Sequence, residues 1–133
     1  MTGIELAKAA EGMAGTPFRL HGRDPRTGLD CIGLIDCALA AIGCKALFPN
    51  GYALRTGQWP DLDAIADQRG FAPATGPVLP GDVLLLKPSA SQMHFAIAGL
   101  RGGTWIEAHA GLRRVVVTAI SDRFPVIRRW RLV

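Results

Sequence analysis

Between Asp30 and Gly43 the chain carries its strongest helix signal. DCIGLIDCALAAIG runs apolar from Cys31 to Ile42, with Asp30 placed as an N-cap and Gly43 as a C-terminal stop. Small and apolar positions on most of its circumference imply burial on most sides, so this is expected to be the central helix, with the rest of the chain packed around it. Residues 3 to 14 form a first helix by the spacing of Ile4, Leu6, Ala7, Ala10 and Met13, stopped by Gly15 and Thr16-Pro17. GTPFRLHGRDPRTGLD then has the composition of an ordered loop rather than of a strand or helix, and such loops often form site walls.

Further along, PNGY suggests a turn, LDAIADQRG a short helix, and FAPATGPVLPG another irregular stretch. After Pro80-Gly81 come the strand-like runs DVLLLK, HFAIAGL, TWIEAHA and RVVVTAI, with a further strand expected in VIRRWRLV. Helices first and strands afterwards point to an α+β domain with an antiparallel sheet of about five strands. The 133 residues fit a single domain, residues 1–133.

With 49% hydrophobic and 20% charged residues the chain has the balance of a folded globular domain. No apolar stretch is long enough to span a membrane. Glu5, Lys8 and Glu11 interrupt the region where a secretory signal needs its apolar segment, so synthesis in the cytoplasm without a signal peptide is expected. Cys31, Cys37 and Cys44 are odd in number and lack zinc-finger or redox spacing, so neither a disulfide framework nor a metal site is expected, and no cofactor motif is present. Cys37 and Cys44 read as small buried hydrophobes. The net charge of +4 comes partly from Arg113, Arg114, Arg123, Arg128, Arg129 and Arg131. Arginines alternating with Val, Ile or Trp usually form a solvated strand face, and no stacking array accompanies them, so nucleic acid is not an expected partner.

A thiol at a helix N-terminus beside an imidazolium can have its pKa lowered from about 8.5 into the range of about 3.5 to 7.5. Cys31 alone of the three cysteines stands at such a position, where first-turn N–H groups can also serve an oxyanion. The base must be one of His21, His94 and His109. A two-residue Gly102-Gly103 turn would pair HFAIAGL with TWIEAHA so that Ala96 faces His109 and Gly111 faces His94. His94 and His109 would then share one face as diagonal neighbours, within about 7–8 Å. Ala96 leaves room there for a base and an orienting second ring. A lone strand histidine would be read as satisfied by local hydrogen bonds; the joint pattern with Cys31 favours a site.

The same residues carry a family likeness. Gly15 to Phe18, Gly22 to Pro25, Asp30 to Leu34, Pro80 to Val83, and His94 resemble motifs of the NlpC-type, papain-like cell-wall cysteine peptidases, above all the branch encoded with phage and gene-transfer-agent tail genes. The final His-Ala of that pattern falls on His109-Ala110. The resemblance implies hydrolysis of an amide in the peptide stem of peptidoglycan, commonly from γ-D-glutamate to a diamino acid, with Cys31 attacking, His94 moving the proton and His109 orienting His94. It also implies tail-tip proteins as partners and delivery by a phage-like particle to the periplasm. The family often has Tyr where this chain has Phe18, so the hydroxyl is missing there. Phe18, His21 and Asp30 are candidate substrate contacts, although Asp30 also suits a helix cap and His21 a solvent-facing loop. Two other readings stand: a structural tail-tip component using the fold for assembly, and a related peptidoglycan amidase or thiol acyltransferase.

Overall fold

The computed structural model describes residues 2–48, 61–89, 92–120 and 125–133. Helix α1 (Gly3–Glu11) starts on Thr2, whose side chain accepts the Glu5 N–H, and buries Leu6, Ala7 and Ala10. It ends sooner than its apolar spacing suggests: residues 12–15 turn away to Gly15, whose φ of +90° suits glycine. Helix α2 (Cys31–Ala41) is the central one, with Asp30 at its N-cap and Cys31, Ile32, Gly33, Leu34, Ile35, Ala38 and Leu39 buried. Gly43, at φ +80°, lets the chain reverse just beyond it. The short helix expected in LDAIADQRG is α3 (Leu62–Gln68), capped by Asp61. The turn expected at PNGY lies outside the described residues.

The expected loop before α2 contains two very short strands, β1 (Arg23–Asp24) and β2 (Gly28–Leu29), paired antiparallel. Close backbone approach clamps them onto the helix: a side chain at Gly22 would strike Gly28, and one at Gly33 would strike Gly22. The large sheet holds six strands rather than five: β3 (Phe71–Pro73), β4 (Val83–Ser89), β5 (Gln92–Ala98), β6 (Thr104–His109), β7 (Arg114–Ala119) and β8 (Val126–Leu132), in the order β3-β8-β4-β5-β6-β7. Each neighbouring pair is antiparallel. The additional strand, β3, falls in a stretch read as irregular. It is three residues long and ends on Pro73, which a sheet tolerates at an edge, where a missing N–H breaks no ladder.

One face of the sheet packs on the helices, placing Phe71, Phe95, Ile97, Ile106 and Val115 against Leu6, Ile32, Ile35 and Leu39. Each such side chain taken from water contributes about 1.5–3 kcal/mol, which is why the apolar α2 is held on several sides. The other face has a smaller cluster of Leu84, Leu86, Ala96 and Trp105.

The arginine-rich last strand differs from expectation. Rather than forming a wholly solvated face, Arg129 and Arg131 both bind Asp82, whose side chain is completely buried and also accepts the Leu79 N–H. Arg128 pairs with Asp63 at 2.9 Å, and Trp130 Nε1 donates to the same carboxylate. Arg123 lies outside the described residues.

Candidate active site

Asp30 sets the start of α2. Its Oδ1 accepts the Gly33 N–H at 2.8 Å and Arg23 Nη1 at 2.6 Å, while Oδ2 accepts the His21 N–H at 3.1 Å. The next N–H, that of Leu34, closes on the Asp30 carbonyl. Cys31 follows directly, buried at 2% exposure, and the first-turn N–H groups of Cys31 and Ile32 have no acceptor among the described residues. Donors of this kind can receive an anion formed beside the sulfur.

His94, on β5, meets this helix start. Its Nε2 lies 3.2 Å from Glu107 Oε1 on β6, and the Cys31 side chain is near enough to act on the ring's protonation. With Nε2 given to Glu107, Nδ1 is the ring nitrogen left for the thiol. Burial works against the imidazolium, but the bonds and charges of Cys31 and Glu107 outweigh it and raise His94 from 6.5 to about 9. Burial pushes the Glu107 carboxyl up, yet the His94 hydrogen bond and charge bring it below its ordinary range. A thiol, an imidazole and a carboxylate therefore act on one another at the head of α2.

The β5–β6 connection explains why the carboxylate is Glu107. The Gly99 N–H bonds the Thr104 carbonyl, so the chain turns through residues 100–103 rather than over Gly102-Gly103 alone. Glu11 of α1 holds that wider turn through the Leu100 N–H at 2.7 Å. The register becomes Ile97↔Ile106 and Ala98↔Trp105, which carries Ala96 toward Glu107 instead of His109. Parity is unchanged, so Glu107 and His109 both belong to the His94 face, as expected of any even-length connection. The expected bond from His94 to His109 is nevertheless replaced by the one to Glu107. His109 Nδ1 instead accepts the Leu112 N–H at 3.0 Å.

Superposition on solved structures agrees with this arrangement of helix and sheet. The NlpC/p60 domain of peptidoglycan hydrolase SagA matches with a TM-score of 0.68 at 21% identity, over 100% of this chain and 99% of that one. The fold is that of the NlpC/p60 domains. NlpC1 from Trichomonas vaginalis matches with a TM-score of 0.70 at 20% identity, over 96% of this chain but 44% of that one, so the chain spans less than half of that protein. NlpC2 from the same organism gives a TM-score of 0.68 at 18% identity. No protein-family model matches the sequence, and no curated protein matches it significantly.

Within the NlpC/p60 fold the remaining sequence candidates fall into place unequally. Both oxygens of Asp30 are engaged in holding the helix start, so its carboxylate is a cap and brace rather than a free substrate contact. His21 is exposed, with a left-handed backbone at φ +60° fixed by Asp30. Phe18 packs its ring partly into the core while its N–H bonds the Arg113 carbonyl. Cys37 donates to the Arg23 carbonyl at 3.3 Å, and burial pushes its thiol up, which suits an unreactive position. Glu107 is the residue that sequence reading missed. Its signal was present: one acidic residue at the centre of the apolar run TWIEAHA, on the same parity as His109.

Proposed function

We propose that this protein is a cysteine peptidase that hydrolyses an amide bond in the peptide stem of peptidoglycan. The observation that carries the proposal is the grouping of Cys31, His94 and Glu107 at the N-terminus of a buried helix. The likeness to NlpC/p60 domains, one of them from a peptidoglycan hydrolase, supports the substrate class. Cys31, as thiolate, attacks the scissile carbonyl, and the oxyanion is held by the N–H groups at the head of α2. His94 gives its proton to the leaving amine, then takes one from the water that hydrolyses the thioester. Glu107 keeps a proton on His94 Nε2 and stabilises the imidazolium, the orienting part earlier assigned to His109.

The bond we assign is that from γ-D-glutamate to a diamino acid, in keeping with the family motifs around Cys31 and His94. The same motifs favour the branch carried by phage and gene-transfer-agent tails, with a particle delivering the enzyme to the periplasm and tail-tip proteins as its partners. Digestion of purified peptidoglycan, followed by mass analysis of the released fragments, tests this. Stem peptides cut after D-glutamate are the expected products; release of intact stems from glycan would make the enzyme an amidase, and unchanged peptidoglycan would overturn the proposal.

A further inference from the structure

Half of the described arginines are held in ion pairs. Arg23 holds Asp30, Arg26 holds Asp24, Arg128 holds Asp63, and Arg129 and Arg131 hold Asp82. Arg19, Arg113 and Arg114 are exposed and take part in none of the ion pairs among the described residues. Their main chains converge. Phe18 bridges Leu29 and its N–H bonds the Arg113 carbonyl; Pro17 bridges Arg114; and Arg19 N–H bonds the Leu29 carbonyl.

This junction adjoins the proposed site from both sides. Leu29 precedes Asp30 and Cys31 in the chain, and Arg114 pairs across the sheet with His109, which lies on β6 with Glu107. The two non-glycine residues with positive φ among those described, His21 and Arg113, bracket the same rim, at +60° and +62°. Such backbone costs about 1–3 kcal/mol and persists where its surroundings fix it, as in ligand clamps. Three exposed arginines are thus carried on joined main-chain segments, one of which leads through Leu29 and Asp30 into Cys31, and none of the three is in an ion pair among the described residues.

We propose that Arg19, Arg113 and Arg114 form an anion-recognition rim that selects stem peptides bearing a free α-carboxylate on the γ-linked D-glutamate. This deepens the proposed function and rests on its assignment of substrate. A γ-linkage leaves the α-carboxyl outside the peptide backbone, on the same residue that supplies the scissile carbonyl. Amidation of that group removes its charge and leaves its size nearly the same, and a guanidinium separates the two because it pairs with a carboxylate through two parallel bonds.

The test measures calorimetric binding of the tripeptide L-Ala-γ-D-Glu-diaminopimelate and of its α-amidated form to the Cys31→Ala protein. The recorded structural bonds of these arginines are main-chain bonds, so glutamine substitutions leave them in place. In the parent the free acid binds about tenfold more tightly than the amide. Arg19→Gln, Arg113→Gln and Arg114→Gln together remove that difference and weaken its dependence on salt, whereas Arg101→Gln, in the turn at the opposite end of β6, leaves both unchanged. The single Arg114→Gln variant gives a partial loss and keeps the measurement interpretable if the triple variant folds poorly. Equal binding of both peptides by the parent, no binding of either, or equal losses for both in the variants would overturn the inference. Turnover by the native protein is scored separately: charge-selective binding without cleavage would sink the peptidase reading and leave the rim standing.

Discussion

The molecule buries two sheet-associated carboxylates, Asp82 at the head of β4 and Glu107 in the middle of β6, and treats them in opposite ways. Asp82 is saturated by Arg129, Arg131 and the Leu79 N–H. Arginine does not lose its proton at any working pH, so this cluster has one state. Glu107 has His94 as its hydrogen-bond partner at 3.2 Å, and that imidazole is shared with Cys31. A titratable partner gives the second cluster two states, and proton transfer requires two. Similar burial thus serves structure in one place and chemistry in the other, and the identity of the base beside the carboxylate decides which.

The largest effects should come from the reactive side of this contrast. Cys31→Ala is expected to abolish hydrolysis while leaving the melting temperature near that of the parent; peptidoglycan cleavage at the parental rate would show that the sulfur is not the nucleophile. His94→Ala should lower turnover by about 10²–10⁴-fold and slow alkylation of Cys31 at neutral pH. It should also flatten the pH dependence of stability. His94 binds its proton more tightly when folded, so its contribution is complete below about 6.5 and disappears as pH climbs through about 9. Thermal melts of parent and variant across that interval measure the difference.

Asp82→Ala attacks the structural side. Two arginines lose their buried partner, so stability should fall by about 3 kcal/mol in urea titrations, with the rate per folded molecule unchanged. A loss of rate at full stability would erase the distinction between the two carboxylates. Glu107→Gln should lower turnover by about tenfold, since an amide oxygen still accepts from Nε2 but carries no charge. Its alkaline limb should move to lower pH, because without the carboxylate the imidazolium is lost sooner; a pH–rate profile superposable on the parent's would remove Glu107 from the mechanism. The smallest effect belongs to His109: replacement by Asn or by Ala should leave turnover within about threefold, because its ring bonds the Leu112 N–H rather than His94.

Local signals served the sequence reading well. Asp30 as cap, Gly43 as stop, the strand runs after Gly81 and the opposition of Cys31 to a strand histidine all depend on neighbours in the chain or on simple alternation. Long-range causes were invisible. The β5–β6 turn is fixed by Glu11, from the first helix, and without that contact Gly102-Gly103 is the natural place to reverse. One misplaced turn moved His109 into the position that Glu107 holds. Strand β3 was hidden because pairing with β8, not its own three residues, makes it a strand. The arginines of β8 looked like surface charge because Asp82 lies far away in sequence.

The place of β8 has a consequence for how the fold comes into being. This strand is late in the chain yet inserts between β3 and β4, with its arginines closing on Asp82. During synthesis Cys31 and His94 are made before residues 126–132, but β3 stays apart from β4 to β7 until those residues arrive. Contacts of such large sequence separation form slowly and late. Completion of the six-stranded sheet is therefore timed by its most distant strand, not by the strand that carries His94.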